Sequence, residues 1–138
     1  MFNFLKNNKE ILKNPITNIA ALLIYAAKID ENYTNKEREM IKKAVNELDP
    51  EAQNIEEILL KAEEIEKKSN QILDFTKEVK NLDKNLKIKI IEILWNIIYS
   101  DHNPDMYENS LMRRLTGLLY LDPKVVGDLK EKVINNLK

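Results

Sequence analysis

The residues with the clearest chemical potential form a polar stretch in the last third of the chain. Asp101, Asn103 and Asp105 alternate along it, as the first oxygen ligands of a calcium-binding loop do. An EF-hand also requires Gly at loop position six and Glu at position twelve, where this chain has Met106 and Met112. The stretch is therefore not an EF-hand, although its carboxylates are hard oxygen ligands that suit a divalent cation.

A similar acidic stretch occurs earlier in the chain. Glu37 follows Asp30 by seven residues, as Glu108 follows Asp101. If the two stretches lie close together, their carboxylates repel one another, and a bound cation relieves that repulsion. We therefore predict a weak site for calcium, manganese or zinc, with the candidate ligands Asp30, Glu37, Asp101, Asp105 and Glu108.

The same residues have a purely structural interpretation. Thr34 and Glu37 have the spacing of a capping box, in which both side chains bind backbone N–H groups at the start of a helix. Asp105 and Glu108 have the same spacing at the second stretch. Capping alone and capping combined with metal binding both remain open at this point.

No complete catalytic constellation is visible. His102 is the only histidine, and it and the nearby Ser100 and Ser110 have no spacing that specifies a base and an orienting group. There is no cysteine nucleophile and no Gly-rich phosphate loop. We expect a protein that is not an enzyme, and a metal-assisted hydrolase using the loop carboxylates is the least favoured reading.

The elements that must position these loops are predicted to be helices. Two Gly and four Pro are too few for the turns of a sandwich or barrel. Leu86–Ile90 alternates like a strand, but the apolar segment continues with helical spacing to Tyr99, so we predict a helix there, with Trp95 in the core. The predicted helix starts are Pro15, Thr34, Asp49-Pro50, Ser69, Asp83, Asp105 and Asp122-Pro123. This pattern predicts an all-α, compact bundle of roughly six or seven helices.

The two polar stretches belong to an internal repeat. At an offset of 71 residues, each stretch follows an apolar helix segment, Leu22-Leu23 in one copy and Ile93-Leu94 in the other. The paired loop positions are Asp30 with Asp101, Asn32 with Asn103, Thr34 with Asp105 and Glu37 with Glu108. Two such helix–loop–helix units commonly pack about a pseudo-twofold axis, which would bring the loops together.

This arrangement resembles the TerB-like (tellurite-resistance) family. Its domains have two copies of an apolar helix, an Asp-Gly loop and a Glu seven residues after the Asp. The second copy resembles the stretch from Leu94-Trp95 to Asp101 and the helix start Asp105-Met-Tyr-Glu108, and the end resembles Leu118-Leu-Tyr-Leu121. The Gly is replaced by Glu31 and by His102, so Asn32 and Asn103 are the candidates for any left-handed backbone.

The resemblance spans roughly residues 15–137. It implies an N-terminal lead-in over 1–14 followed by a TerB-like helical domain over 15–138. It further implies a non-catalytic interaction or sensing module in a tellurite-type stress response, with an acidic, cation-binding loop surface. A structural adaptor domain without a metal role is the alternative.

Charge and hydropathy limit the partners. The formal net charge of −1, from 22 basic and 23 acidic residues in 138, argues against nucleic acid, so the expected partner is another protein. The longest apolar run, Ile19–Ala27, is too short to span a bilayer, and we identify no signal peptide. Together with the absence of Cys, this leads us to expect a cytoplasmic protein. No pattern indicates the oligomeric state.

Overall fold

The chain folds into helices that share one apolar core. The computed structural model describes residues 16–29, 33–69, 72–100 and 106–136, so predictions for the lead-in 1–14 and the loop residues 30–32 and 101–105 lie outside it. Within those ranges there is no strand, which confirms the all-α prediction. The described residues form seven helices: α1 (16–27), α2 (Asn35–Leu48), α3 (Ile55–Lys68), α4 (Leu73–Val79), α5 (Lys84–Ile98), α6 (Met106–Leu118) and α7 (Pro123–Asn136).

Helices α1 and α5 occupy the centre of the bundle. Leu22, Leu23 and Ile24 are fully buried, so α1 is apolar on nearly every side, as expected of a helix surrounded by others. On α5, Ile90 and Leu94 are equally buried. The predicted helix over residues 86–90 is confirmed, because packing along a long apolar face outweighs the local β preference of isoleucine. Across the described residues, no helix has the length and apolarity that crossing a membrane requires.

Trp95 joins the central helix to the C-terminal one. Its side chain is 4% exposed, and its indole Nε1 donates a hydrogen bond to the carbonyl oxygen of Val126 at 3.1 Å. A buried indole needs such a partner for its one polar atom. The prediction that Trp95 belongs to the core is confirmed, and α7 packs along α5.

Three predicted helix starts are confirmed by their caps. The Thr34 side chain accepts from the backbone of Glu37 at the start of α2. At α5, Asp83 Oδ1 accepts from the Leu86 N–H at 2.9 Å. At α7, Asp122 Oδ1 accepts from the Lys124 N–H at 2.9 Å, with Pro123 as the first helical residue. Each cap satisfies a backbone donor that the helix itself cannot.

Two predicted helix starts are wrong. Asp49 is the C-terminal cap of α2, and α3 begins five residues after Pro50, with Asn54 as its N-cap. The Asn54 side chain accepts from the backbone of Glu57 and also donates to the Glu57 carboxylate. This reciprocal pairing is the stronger start signal. Ser69 similarly ends α3, while α4 begins at Leu73.

Candidate functional site

The start of α2 carries the first candidate ligand within the described residues. Glu37 lies in the first turn and is 3% exposed. Its Oε1 accepts from the Thr34 backbone N–H at 3.0 Å and from the Thr34 hydroxyl at 3.2 Å, while Thr34 Oγ1 accepts from the Glu37 N–H at 3.1 Å. The predicted capping box is therefore present, and Glu37 has a structural role whatever else it binds.

The start of α6 carries the second candidate ligand. Glu108 lies in the first turn of α6 and is 8% exposed. Its carboxylate also acts on the end of α5: burial raises the pKa of the Tyr99 phenol, and the negative charges of Glu131 and Glu108 raise it further. A carboxylate at the N-terminal end of a helix also interacts favourably with the helix dipole.

A direct contact joins the flanks of the two acidic loops. Lys36, in the first turn of α2, donates from its Nζ to the carbonyl oxygen of Ser100 at 3.3 Å, across 64 residues of sequence. Ser100 immediately precedes the second loop, and its own hydroxyl donates to the Ile97 carbonyl at 2.7 Å. The segment that leaves the first loop therefore lies beside the segment that enters the second loop.

A network of polar side chains links the segment that follows the first loop to α3. Arg38 Nε lies 2.8 Å from Glu63 Oε2, and the Tyr33 hydroxyl donates to the same oxygen at 2.8 Å. Burial acts to raise the pKa of the Glu63 carboxyl, but hydrogen bonds from Arg38 and Tyr33 outweigh burial and lower it. Burial, followed by the bond to Glu63, raises the pKa of Tyr33 above its usual range.

Two of the five predicted cation ligands are among the residues that the structure describes. Asp30, Asp101 and Asp105 lie outside the described residues, whereas Glu37 and Glu108 lie within them. Over the described ranges alone, no group of three or more His, Asp or Glu side chains is arranged to hold an ion. The five-residue cation site stays a prediction, and it draws three of its ligands from the loops themselves.

One buried cation was not singled out from the sequence. Lys87 is 8% exposed, and its Nζ donates to the carbonyl of Lys80 at 3.2 Å and to that of Leu119 at 2.9 Å. These carbonyls lie at the C-terminal ends of α4 and α6, where helix dipoles favour a positive charge. The only sequence signal was a Lys on the apolar face of a helix, a pattern that does not identify its partners.

The family model described as tellurite resistance protein TerB matches residues 17–131, which is most of the chain. No curated protein and no solved structure matches significantly.

Proposed function

Because the chain belongs to the TerB family, we propose that it is a non-catalytic interaction and sensing module. Its partner is another protein, and its two acidic loops bind a divalent cation weakly. The observation that carries this proposal is the placement of Glu37 and Glu108, each buried in the first turn of the helix that follows an acidic loop. The expected ligands remain Asp30, Glu37, Asp101, Asp105 and Glu108.

The electrostatics favour a cation at this place. Glu37 and Glu108 have partners of their own, and their negative charges add to those of the acidic residues in the two loops. The Lys36–Ser100 contact supports a common site, since it places the exit of one loop against the entrance of the other. Oxygen ligands gathered from two loops suit calcium or manganese, and zinc is the third cation to test.

The affinity should be modest. The ammonium group of Lys36 lies 3.3 Å from the carbonyl oxygen of Ser100, the residue that precedes the second loop, and would repel a cation bound nearby. Each loop also supplies few ligands compared with an EF-hand. We therefore expect a Kd of about 10⁻⁴–10⁻³ M, the range of weak calcium sites.

A structural adaptor with no metal role is the second candidate. The specific observation in its favour is the complete Thr34–Glu37 capping box, which gives Glu37 a structural partner without any ion. The two candidates differ in one measurable respect, because only the first predicts that a cation changes the environment of both loops together.

A titration followed by amide chemical shifts separates them. Millimolar calcium or manganese should move the signals of residues 29–37 and 100–108 together, and Asp101→Asn should weaken this response by about tenfold. Asp74→Asn is the matched control, since Asp74 is an exposed carboxylate on α4 and belongs to neither loop. Absence of loop shifts at millimolar cation, or an unchanged response in Asp101→Asn, would leave the adaptor role alone.

The biological context proposed is a tellurite-type stress response in the cytoplasm. It rests on the name of the family whose model matches. Deletion of the gene should lower growth on tellurite, and expression of the chain should restore it. Restoration by wild type but not by Asp101→Asn would tie the loops to that response, whereas equal growth of the deletion strain and the parent would exclude it.

A further inference from the structure

A groove lies between α4 and the end of α6. Its lining is apolar and basic, unlike the two acidic loops. Its volume is about 360 Å³, and its lining includes Leu73, Lys77, Lys80, Gly117, Leu118 and Tyr120. The floor is therefore apolar and the rim carries two ammonium groups. This volume is at the lower end of the range for binding pockets and suits one or two side chains of a bound segment.

Two exposed apolar side chains line the groove. Leu73 is 45% exposed and Tyr120 is 71% exposed. They are two of the four large apolar side chains that are exposed within the described ranges, and the other two, Leu60 and Tyr107, do not line the groove. Adjacent exposed apolar side chains bordered by polar groups are typical of interaction sites.

Tyr120 has a left-handed backbone conformation, which glycine most often adopts at the end of a helix. Its φ is 57°, in the left-handed region. The Leu121 N–H binds the Thr116 carbonyl at 3.0 Å and the Tyr120 N–H binds the Gly117 carbonyl at 3.2 Å, the pair of bonds that defines a Schellman ending. Tyrosine at this position is strained by about 1 kcal/mol relative to glycine. The residue in this strained position is aromatic, and its exposed ring lies at the edge of the groove.

Four cations lie on the rim of the groove or one helical turn from it. Lys77 and Lys80 line it, and helical spacing places Arg113 and Arg114 one turn before Gly117 and Leu118 on the same face of α6. Within the described part of the chain, none of these four cations lies within 4.0 Å of a carboxylate. The residues that do form such pairs are on other surfaces of the bundle.

We propose that this groove binds an acidic segment of a partner protein, with carboxylates pairing with the rim and one or two apolar side chains seated beside Tyr120. The inference rests on the proposed function only in taking the chain as a protein-interaction module. Charge complementarity selects the partner, because two lysines on the rim, with two arginines one turn away on α6, have no carboxylate within 4.0 Å among the described residues. Beside an apolar floor, these cations match alternating acidic and apolar residues.

A second copy of the chain is a poorer occupant. Its most suitable segment is α3, where Leu60 is exposed among glutamates. Those glutamates are already engaged: Glu56 pairs with Arg38 and Lys42, Glu57 with Lys61, and Glu64 with Lys68. Docking α3 in the groove would have to compete with these pairs.

The test selects random short peptides by phage display on the immobilised full chain, in buffer containing EDTA. Selected sequences should be enriched in Asp and Glu together with Leu, Ile or Phe. The best peptide, made synthetically, should bind Lys77→Glu and Lys80→Glu about tenfold more weakly than the wild type, because each change replaces an attraction by a repulsion. Lys43→Glu, an exposed lysine on α2 outside the groove, is the matched control and should bind normally.

A pair of variants at Gly117 protects the test against misfolding. A Cβ at Gly117 meets no heavy atom within 4 Å, so Gly117→Glu and Gly117→Gln should both fold. They differ by one charge, and Gly117→Glu should bind the peptide about tenfold more weakly than Gly117→Gln. Equal affinities of this pair together with normal binding by the Lys77 and Lys80 variants would overturn the proposal.

Other occupants give distinct results. Selected peptides without acidic enrichment, tighter binding of an oligonucleotide at the groove, or a dimer that Lys77→Glu dissociates would each overturn the inference. The EDTA keeps it separate from the cation site. Peptide binding without loop shifts on adding calcium would mean that the cation part of the proposed function fails alone, and loop shifts without peptide binding would mean that the groove fails alone.

Discussion

The α2–α3 surface and the α4–α6 groove use cations in opposite ways. On the first, Arg38 lies 2.8 Å from Glu63 and Lys42 lies 3.2 Å from Glu56, while Lys28, just after α1, lies 2.8 Å from Glu66 on α3. Around the second, Lys77, Lys80, Arg113 and Arg114 have no carboxylate within 4.0 Å among the residues that the structure describes.

The difference indicates what each surface is for. On α2–α3, paired charges fix α3 against α2, the helix that follows the first loop. Around the groove, the described residues form no such ion pairs, and the exposed ring of Tyr120 lies beside the two lysines. Charges that stabilise the folded chain and charges available to a partner can be distinguished by mutation, because only the former change the free energy of unfolding.

The largest effect is expected at Lys87, the buried cation that joins the ends of α4 and α6. Lys87→Met keeps the length of the side chain but leaves the carbonyls of Lys80 and Leu119 without this donor. The free energy of unfolding should fall by roughly 2–3 kcal/mol, the range for hydrogen bonds to charged groups. Urea denaturation measures it.

Lys89→Met is the control for this change. Lys89 is on the same helix but its side chain is 46% exposed, and its ion contacts with Glu47 and Glu92 are long, at 3.9 and 3.7 Å. Its loss should cost less than about 0.5 kcal/mol. Equal stability of the two variants would show that Lys87 does not hold the helix ends that form the groove.

The next effect is expected at Arg38, the centre of the α2–α3 network. Arg38→Met removes ion pairs to both Glu56 and Glu63 while the guanidinium side chain is only 20% exposed. A loss of roughly 1–2 kcal/mol is expected, above the range for a single surface pair because two carboxylates each lose an ion pair, although Glu56 keeps Lys42 and Glu63 keeps the Tyr33 hydroxyl. Lys77→Met, at the groove, should change stability by less than about 0.5 kcal/mol, since Lys77 forms no ion pair with any described residue. A loss of similar size in both variants would remove the distinction between the surfaces.

How much of this was predictable depends on the range of the interaction. Thr34, Asp83 and Asp122 were identified as helix starts because a cap and its target lie within three residues. The burial of Trp95 followed from the apolar spacing of α5. Asp49 was misassigned because Asp-Pro is compatible with a turn as well as a helix start, and the competing signal at Asn54 was overlooked.

The groove and the loop contact depend on tertiary packing. Lys36 meets Ser100 and Lys87 meets Leu119 only because helices distant in sequence pack together. No local pattern encodes those distances. The left-handed Tyr120 had one local signal, the absence of Gly or Asn between the end of α6 and Asp122, which leaves another residue to adopt the positive φ.

A smaller effect of opposite sign is expected at Tyr120. Tyr120→Gly should raise the free energy of unfolding by about 0.5–1 kcal/mol, because relief of the left-handed strain exceeds the entropy that glycine adds to the unfolded chain. The same variant should weaken binding of the acidic peptide, since the ring is lost. Tyr120→Ala, which loses the ring but keeps the strain, should weaken binding without the gain in stability. Thermal unfolding of the three proteins, with peptide titrations alongside, measures both properties.

If Tyr120→Gly were less stable than the wild type, the ring itself would be stabilising the fold. The nearest contact of that kind is with the Lys87 ammonium, which lies 6.0 Å from the ring centroid. Such a result would show that the Tyr120 ring stabilises the folded chain and is not kept exposed for a partner.

The smallest effect is the dependence of stability on pH. A hydrogen bond from Lys132, 2.8 Å away, lowers the pKa of Glu92 below 4.5 despite partial burial, and the bonds from Arg38 and Tyr33 lower that of Glu63 despite burial. A carboxyl with a lowered folded-state pKa stabilises the fold above its unfolded-state pKa, and this contribution is lost as the pH falls through the folded-state value. Stability should therefore decline as the pH falls below 4.5.

Variants assign this decline to particular surfaces. Arg38→Met and Lys132→Met should each flatten the fall in stability, because the carboxyl that each cation supports then titrates closer to its unfolded-state value. Lys77→Met should leave the slope unchanged, since Lys77 supports no carboxyl in the described structure. The measurement is the urea midpoint at a series of pH values between neutrality and the acid limit of folding. A slope altered by Lys77→Met as much as by Arg38→Met would mean that the groove cations are paired in solution, and the contrast between the two surfaces would then be lost.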